Sequence, residues 1–358
     1  MRWLSKIDWR LVVPVFVLLF VSLVVLFSVN ITFFRSQLIF VVISLLIYLL
    51  CSQFNIRALA SFSLPIYCIS LVLLFILLAL GLESRGAVRW LTFFGVGLQF
   101  SEILKPILAV CLTSFLTARN NTKSITLLLV MAFLVPVAFL IYRQPDLGSA
   151  LIYIAAVGLT LLFYGFPLKW FVGSIASLGV IVPLLFKFLH GYQQQRLLTF
   201  FHVANDPLGI SYNAIQSVIA VGSGMFLGKG LGQGTQSGLR FLPERHTDFI
   251  FATLSEELGF IGGMIVIVAF CFLLYRLYVL FQEADDTFAK VFILSTFSLL
   301  LIQFFINIGM NIGILPIVGV TLPFVSYGGS SLISNAIFLG FVSSLTNMRH
   351  RKNVLEIM

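Results

Sequence analysis

The run from Leu11 to Val29 reads LVVPVFVLLFVSLVVLFSV and contains no charged side chain. About 20 consecutive apolar residues are enough for a helix to cross the ~30 Å hydrocarbon core of a bilayer. The run therefore predicts a membrane-spanning helix. It is longer than the apolar stretch of a secretory signal and is followed by no small-residue cleavage site, so we expect it to remain as the first span.

Nine further apolar runs repeat this pattern along the chain. They are Leu38 to Cys51, Phe62 to Leu82, Ile103 to Leu116, Ile125 to Tyr142, Leu147 to Phe166, Trp170 to Leu189, Leu258 to Tyr275, Val291 to Ile308 and Ser331 to Leu345. Of the 358 residues, 60% are hydrophobic and 10% are charged, against roughly 25% charged in a soluble domain. Strands of an outer-membrane barrel would alternate polar and apolar residues, whereas these runs are unbroken. The sequence predicts an all-α polytopic membrane protein of ten transmembrane helices, in a single domain over residues 1–358.

Lysine and arginine placement predicts the orientation, because short cytoplasmic loops carry an excess of these residues. Ten crossings put both termini on one side, and that side receives twelve lysines and arginines. The twelve are Arg2, Lys6, Arg10, Arg57, Arg119, Lys123, Lys169, Arg276, Lys290, Arg349, Arg351 and Lys352. Most of those on the other side flank one long connection, which the rule largely exempts. We therefore expect both termini to be cytoplasmic.

Two stretches depart from the helical pattern. Residues of about 190–247 form the one sizeable connection outside the bilayer, on the extracytoplasmic side, and Gly222 to Gly238 within it is rich in glycine. These glycines do not match a phosphate-binding loop, and they predict either close backbone packing or a loop that moves over a substrate. The second stretch, NIGILPIVGVTLPFVSYGG from Asn311 to Gly329, is too broken for a plain helix and too apolar for a free loop. It predicts a re-entrant segment before the last helix.

Charged residues near the bilayer usually face a cavity, a partner or a substrate path. Glu102 and Lys105 are three apart at the start of the fourth span, so they share a helix face. Two interpretations remain open: a self-neutralising pair, or a cavity wall with an ammonium for an anionic headgroup. Upstream, Arg89 stands beside Trp90, where a tryptophan is ordinary at a membrane interface and an arginine can hold a phosphate.

The segment LPERHTDFIFATLSEELG, Leu242 to Gly259, is the densest polar cluster in the chain. Thr247 can cap the helix that follows, and Asp248 would then lie in the first turn and favour the helix dipole. The cluster nevertheless holds more titratable groups than a helix start requires, among them Arg245 and Glu256. Asp146, after Pro145, is expected to cap the sixth span.

Three strings carry a family resemblance. They are QPDLGSA (Gln144 to Ala150), GTQSGLRFLPERHTDFIFATLSEELG (Gly234 to Gly259) and LPFVSYGGSS (Leu322 to Ser331). They resemble the SEDS family of shape, elongation, division and sporulation proteins, and PERHTDFIF looks more like its rod-shape (RodA) branch than its division branch. The likeness runs over essentially the whole chain.

The resemblance implies a peptidoglycan glycosyltransferase of the bacterial cytoplasmic (inner) membrane that polymerises lipid II during cell elongation. It also implies a class B penicillin-binding protein as transpeptidase partner, along with other elongation-complex membrane proteins and no nucleic acid. The family's essential aspartate matches Asp248, its tryptophan Trp90, and its glutamate and lysine Glu102 and Lys105.

Glycosyl transfer from a lipid diphosphate needs a base for the attacking hydroxyl, cations for the leaving diphosphate and an apolar opening for the lipid tail. Asp248 is the expected catalytic base, and the substrate-binding candidates are Trp90, Glu102, Lys105, Arg89, Arg196, Arg245 and Glu256. A divalent cation held by these carboxylates stays open, although nothing in their spacing requires one. The competing hypotheses are a flippase for the lipid-linked precursor, which a broken helix would suit, and a scaffold of the elongation complex.

Overall fold

The computed structural model describes residues 8–80, 90–93, 96–117, 123–174, 176–177, 194, 212–239 and 241–356. Its elements are α1 (Trp9–Val29), α2 (Ile31–Cys51), α3 (Ile56–Ala60), α4 (Ser63–Leu80), β1 (Trp90–Phe93), β2 (Val96–Gln99), α5 (Phe100–Thr117), α6 (Lys123–Arg143), α7 (Leu147–Phe163), α8 (Tyr212–Ser223), α9 (Thr235–Gly238), α10 (Ile250–Glu283), α11 (Thr287–Asn311) and α12 (Gly329–Glu356). The two strands form an antiparallel hairpin in which Trp90 pairs with Gln99. The sequence pattern did not predict this hairpin, which leads directly into α5.

Eight of the described helices are long and apolar enough to cross a membrane: α1, α2, α4, α5, α6, α10, α11 and α12. The apolar α7 is shorter, at 17 residues. These nine helices coincide with nine of the ten predicted spans. The remaining one, Trp170 to Leu189, lies mostly outside the described residues. The polytopic helical class is therefore confirmed, and the count of ten stays a prediction.

Helices α5 and α12 occupy the centre of the bundle. Within their most apolar windows 67% and 83% of the residues are buried, against 22% for α2 and for α4. Small residues allow this close packing: a Cβ added at Gly340 of α12 would collide with Cys51 and with the Tyr48 carbonyl of α2. Interfaces of this kind replace the hydrophobic drive that lipid does not provide between helices. A central α5 brings its charged first turn into the interior.

Helix α10 is interrupted at Gly259, whose φ of 68° and ψ of −163° are not helical. The backbone groups released there bond to the chain that follows α8. Four bonds join the two segments: Lys229 N to Glu256 O (3.0 Å), Gly230 N to Glu257 O (3.0 Å), Phe260 N to Met225 O (2.9 Å) and Ile261 N to Phe226 O (3.3 Å). The glycine-rich stretch therefore serves close backbone packing, one of its two predicted roles.

We expect Gly224→Ala to lower the free energy of unfolding by about 1–3 kcal/mol, the usual cost of overpacking a rigid contact. A Cβ at Gly224 would fall on the Ser255 carbonyl of α10, which belongs to the backbone and cannot rotate away. Gly222→Ala is the matched control, because a Cβ there meets nothing within 4 Å. Thermal unfolding in detergent measures both variants, and equal unfolding temperatures would contradict the packing role.

Candidate functional site

The chain before α10 forms a compact turn, and Thr247 does not cap the helix as predicted. Helix α10 begins at Ile250 and its N-cap residue is Phe249, whose side chain makes no capping hydrogen bond. Thr247 instead donates its hydroxyl to the Glu244 carboxylate, 3.1 Å away. The reason lies in Glu244, whose φ of 50° bends the chain so that its carbonyl accepts the amides of both Thr247 and Phe249.

This turn also corrects the predicted place of Asp248. The residue precedes the N-cap and lies outside the first helical turn, in which α10 has no acidic residue. Its backbone carbonyl accepts bonds from Asn307 Nδ2 and Asn311 Nδ2 of α11, each at 3.0 Å. The half-buried Asp248 side chain faces Gly319, since a Cβ added there would lie 3.4 Å from Asp248 Oδ2. Asp248 therefore lies in the turn that precedes α10, beside the segment that contains Gly319.

The broken segment, residues 312–328 between α11 and α12, holds the same turn from the other side. Ser326 Oγ donates to the Thr247 carbonyl at 2.7 Å, and Tyr327 N donates to the His246 carbonyl at 2.9 Å. The His246 ring is stacked on Phe33 of α2, with ring centroids 4.1 Å apart. Two non-helical stretches, far apart in sequence, thus satisfy each other's backbone.

The predicted pairing of Glu102 and Lys105 in α5 is confirmed. Lys105 Nζ donates to Glu102 Oε1 at 2.5 Å, and the two residues are 1% and 7% exposed. Within the described residues, Glu102 is the group that accepts from Lys105. An ammonium carries three N–H donors, so the pair uses one and leaves two for another acceptor.

Asp146 caps α7 as predicted, by accepting from Ser149 N at 3.1 Å. Its second oxygen also accepts from the Ser149 hydroxyl at 2.8 Å and from Gln99 Nε2 at 2.7 Å. Gln99 N in turn donates to Ser330 Oγ of α12 at 2.9 Å. The buried Asp146 is therefore a hub, a residue whose bonds join several elements. It fixes the N-terminal end of α5 against α7 and α12, and α5 carries the Glu102–Lys105 pair.

One close contact links this hub to the Asp248 turn. A Cβ at Gly148, in the first turn of α7, would strike the Val318 carbonyl. Val318 is adjacent to Gly319, which faces Asp248. The broken segment therefore lies between the start of α7 and the Asp248 turn, so the two acidic motifs belong to one end of the bundle.

Glu256 and Glu257 hold the glycine-rich stretch. Glu256 is fully buried and accepts from Gln236 N at 2.8 Å and Ser237 N at 2.9 Å, two amides at the start of α9. It also accepts from Lys229 Nζ at 3.2 Å. Glu257 accepts from Gly232 N at 3.2 Å and from Ser28 Oγ of α1 at 2.5 Å. The chain itself engages both oxygens of Glu256, the residue proposed from sequence to bind substrate.

The other predicted site residues are described less fully. Arg89 and Arg196 lie outside the described residues, and Trp90 is described only as the first residue of β1. Arg245 is half-buried, and its carbonyl accepts from Thr253 Oγ1 at 3.1 Å. Within the described part of the chain, no group of three or more His, Cys, Asp or Glu side chains is placed to hold a metal ion.

Comparison with known proteins identifies the family. A sequence profile that describes the cell cycle proteins FtsW, RodA and SpoVE matches residues 3–351. The chain belongs to this family, the SEDS family. Peptidoglycan glycosyltransferase MrdB of Escherichia coli K12 is 41% identical over 293 residues, 80% of this chain and 78% of MrdB. A probable peptidoglycan glycosyltransferase FtsW from Nitrosomonas europaea is 33% identical over 94% of this chain and 92% of its own length.

Solved structures agree with this SEDS assignment. A chain from a peptidoglycan synthase complex, described for its coordination of polymerization and crosslinking, superposes with a TM-score of 0.83 at 28% identity. It covers 96% of this chain and 98% of its own length. The rod shape determining protein RodA of Thermus thermophilus superposes with a TM-score of 0.72 at 26% identity, over 95% of this chain and 96% of its own.

We expect Glu256→Gln to loosen the start of α9. A glutamine offers one acceptor oxygen where Gln236 N and Ser237 N each require one, and an unsatisfied buried N–H costs about 1–3 kcal/mol. Hydrogen exchange should accelerate at these two amides, and Glu283→Gln, at the exposed end of α10, should leave them unchanged. Unaltered protection in Glu256→Gln would show that the carboxylate does not anchor this stretch.

Proposed function

We propose that this SEDS protein is a peptidoglycan glycosyltransferase that polymerises lipid II during cell elongation, with Asp248 as general base. The observation that carries the proposal is the position of Asp248. Its backbone carbonyl is held by α11, and its carboxylate faces Gly319 of the broken segment. A carboxylate near the bilayer usually faces a cavity, a partner or a substrate path, which supports a role in the reaction.

The reaction joins a sugar hydroxyl of one chain to the anomeric carbon of a sugar that carries a lipid diphosphate. Asp248 accepts the hydroxyl proton as the oxygen attacks. The new C–O bond forms as the bond to the diphosphate breaks, and that electron pair leaves with the diphosphate. Attack from the face opposite the leaving group inverts the anomeric centre. A positioned base contributes roughly 100- to 10,000-fold to such a step.

The leaving diphosphate requires cations, and Lys105 is the first candidate. Glu102 fixes the buried ammonium and takes one of its donors. In this proposal the diphosphate enters that buried position and meets the other two donors, where charge-assisted bonds are strong. Arg89, Arg196 and Arg245 are the further candidates for this anion, and Trp90 would contact the substrate beside Arg89.

The polyprenyl tail requires apolar space open to the bilayer. A cavity with an almost entirely apolar lining lies between α1, α2 and α12. Phe324 of the broken segment forms part of its wall. Because that segment also faces Asp248, a chain in the cavity would lie beside the element that borders the proposed catalytic residue.

The proposed setting is the bacterial inner membrane, with both termini cytoplasmic, as the lysine and arginine placement favours. The proposed partners are a class B penicillin-binding protein and other elongation-complex membrane proteins. Support comes from the superposition, with a TM-score of 0.83, on a chain of a peptidoglycan synthase complex described for its coordination of polymerization and crosslinking. A flippase is the alternative that the broken segment favours, and lipid II polymerisation by the purified protein distinguishes the two.

Asp248→Asn should reduce polymerisation roughly 100- to 10,000-fold while the protein remains folded, because the amide keeps the shape and cannot accept the proton. Asp286→Asn is the matched control. Asp286 caps α11 through Ala289 N, and asparagine caps a helix about equally well, so its turnover should match the wild type. Gel analysis of glycan products from equal amounts of folded protein measures both. Near-normal polymer from Asp248→Asn would contradict the catalytic assignment.

Lys105→Met should lower kcat/KM for lipid II by roughly 10- to 100-fold through loss of charge-assisted bonds to the diphosphate. The single change also leaves Glu102 buried without its cation, so the neutral double variant Glu102→Gln with Lys105→Met is needed beside it. If the pair is only structural, the double variant recovers both folding and turnover. If Lys105 binds the diphosphate, the double variant folds and stays slow.

A further inference from the structure

We infer that Asn307 and Asn311 of α11 are positioning residues that set the direction of the Asp248 carboxylate. The inference rests on the proposed function of Asp248 and assigns the two asparagines a share in the same reaction. Both side chains are fully buried. They are four residues apart, so they lie one above the other on one face of α11.

The Asp248 carbonyl is held by two donors at once. Asn307 Nδ2 and Asn311 Nδ2 both reach it at 3.0 Å. A carbonyl oxygen has two lone pairs, so this pair of bonds occupies its full accepting capacity. The peptide plane that follows the Asp248 Cα is thereby fixed, and the direction of the Cα–Cβ bond depends on the backbone that this plane helps to define.

Asn311 also supplies the cap that α10 lacks. Its Oδ1 accepts from Ala252 N, in the first turn of α10, at 3.1 Å. The N-cap residue itself, Phe249, provides no side-chain acceptor. One amide on α11 therefore fixes the start of α10 and the Asp248 carbonyl together, which keeps the turn and the helix in one relative position.

Asn307 also holds the broken segment, which faces the Asp248 carboxylate. Besides the Asp248 carbonyl, its Nδ2 donates to the Val320 carbonyl at 2.6 Å. Val320 directly follows Gly319, where an added Cβ would lie 3.4 Å from Asp248 Oδ2. The same side chain therefore fixes the backbone that carries the carboxylate and the backbone that the carboxylate faces.

Packing alone does not explain two asparagines inside an apolar helix. Polar residues within membrane spans are costly, and they persist where they satisfy particular partners. Three of the partners, the Asp248 and Val320 carbonyls and the Ala252 amide, belong to the elements that border the carboxylate. Asn311 Nδ2 also donates to the Asn307 carbonyl within α11 at 2.8 Å. A misplacement of about 1 Å at a reacting group can cost on the order of 100-fold in rate, so this arrangement has a direct kinetic consequence.

The test compares Asn307→Leu with Asn335→Leu under polymerisation of lipid II by the full-length protein. Leucine matches asparagine in shape and removes both donors. Asn335 is equally buried, in α12, and its amide reaches Ser331 Oγ instead of the Asp248 turn. Per folded molecule, Asn307→Leu should lower kcat about 10- to 100-fold and leave KM within about twofold, whereas Asn335→Leu should match the wild type.

Asn311→Leu should show the same kcat effect, and because it also uncaps α10 its folded yield is expected to fall. Asn307→Leu, which leaves that cap intact, keeps the test decisive if Asn311→Leu does not fold. The double variant with Asp248→Asn supplies the second readout. Residues that act through Asp248 lose their effect once it is replaced, so Asn307→Leu should not further reduce the residual rate of Asp248→Asn.

Two results would overturn the inference. One is a wild-type kcat for Asn307→Leu per folded molecule, and the other is an undiminished further loss when it is combined with Asp248→Asn. A different result would contradict the proposed function: a near-normal rate of lipid II polymerisation by Asp248→Asn alone. The asparagines would then have no reacting group to position, so the inference would fail together with the proposed function.

Discussion

Every backbone amide and carbonyl that leaves helical geometry within a membrane bundle must find a partner in the protein. This constraint determines how the site is built. The turn before α10 bonds to the broken segment through Ser326 and Tyr327, and the interruption of α10 at Gly259 bonds to the chain after α8. Each irregular stretch is stable because another irregular stretch completes it. The polar groups that line the proposed site are therefore held by backbone pairing as much as by side-chain packing.

The limited set of buried charges is divided between two duties. Glu256 and Asp146 accept several backbone or side-chain donors each and thereby fix the segments around the site. Lys105 is held by the Glu102 carboxylate, and the Asp248 carbonyl is held by two asparagines of α11. The first kind of residue fixes segments of the chain, whereas the second kind is itself fixed by its neighbours in the position from which it would meet a substrate.

Sequence reasoning recovered the features that depend on local pattern. Apolar run length predicted the spans, the three-residue spacing predicted the Glu102–Lys105 pair, and the residue after Pro145 predicted the α7 cap. It placed Thr247 as a cap wrongly, because the positive φ of Glu244 redirects the turn and has no signature in the residue type. It missed Asn307 and Asn311 because their partners lie about 60 residues away. The available signal was a pair of asparagines one helical turn apart in an apolar run. Their role becomes visible only when the structure shows which distant backbone groups they bind.

The break at Gly259 divides α10 into two parts of unequal length. Residues 260–283 number 24 and make about 36 Å of helix, which alone exceeds the ~30 Å hydrocarbon thickness. The nine residues 250–258 on the other side of Gly259 are therefore not needed to cross the bilayer, and they carry Glu256 and Glu257. The longer part is long enough to cross a bilayer by itself, whereas the shorter part is buried and takes its position from the protein. The segment after α8 bonds to residues on both sides of Gly259, so the two parts of α10 keep one fixed angle.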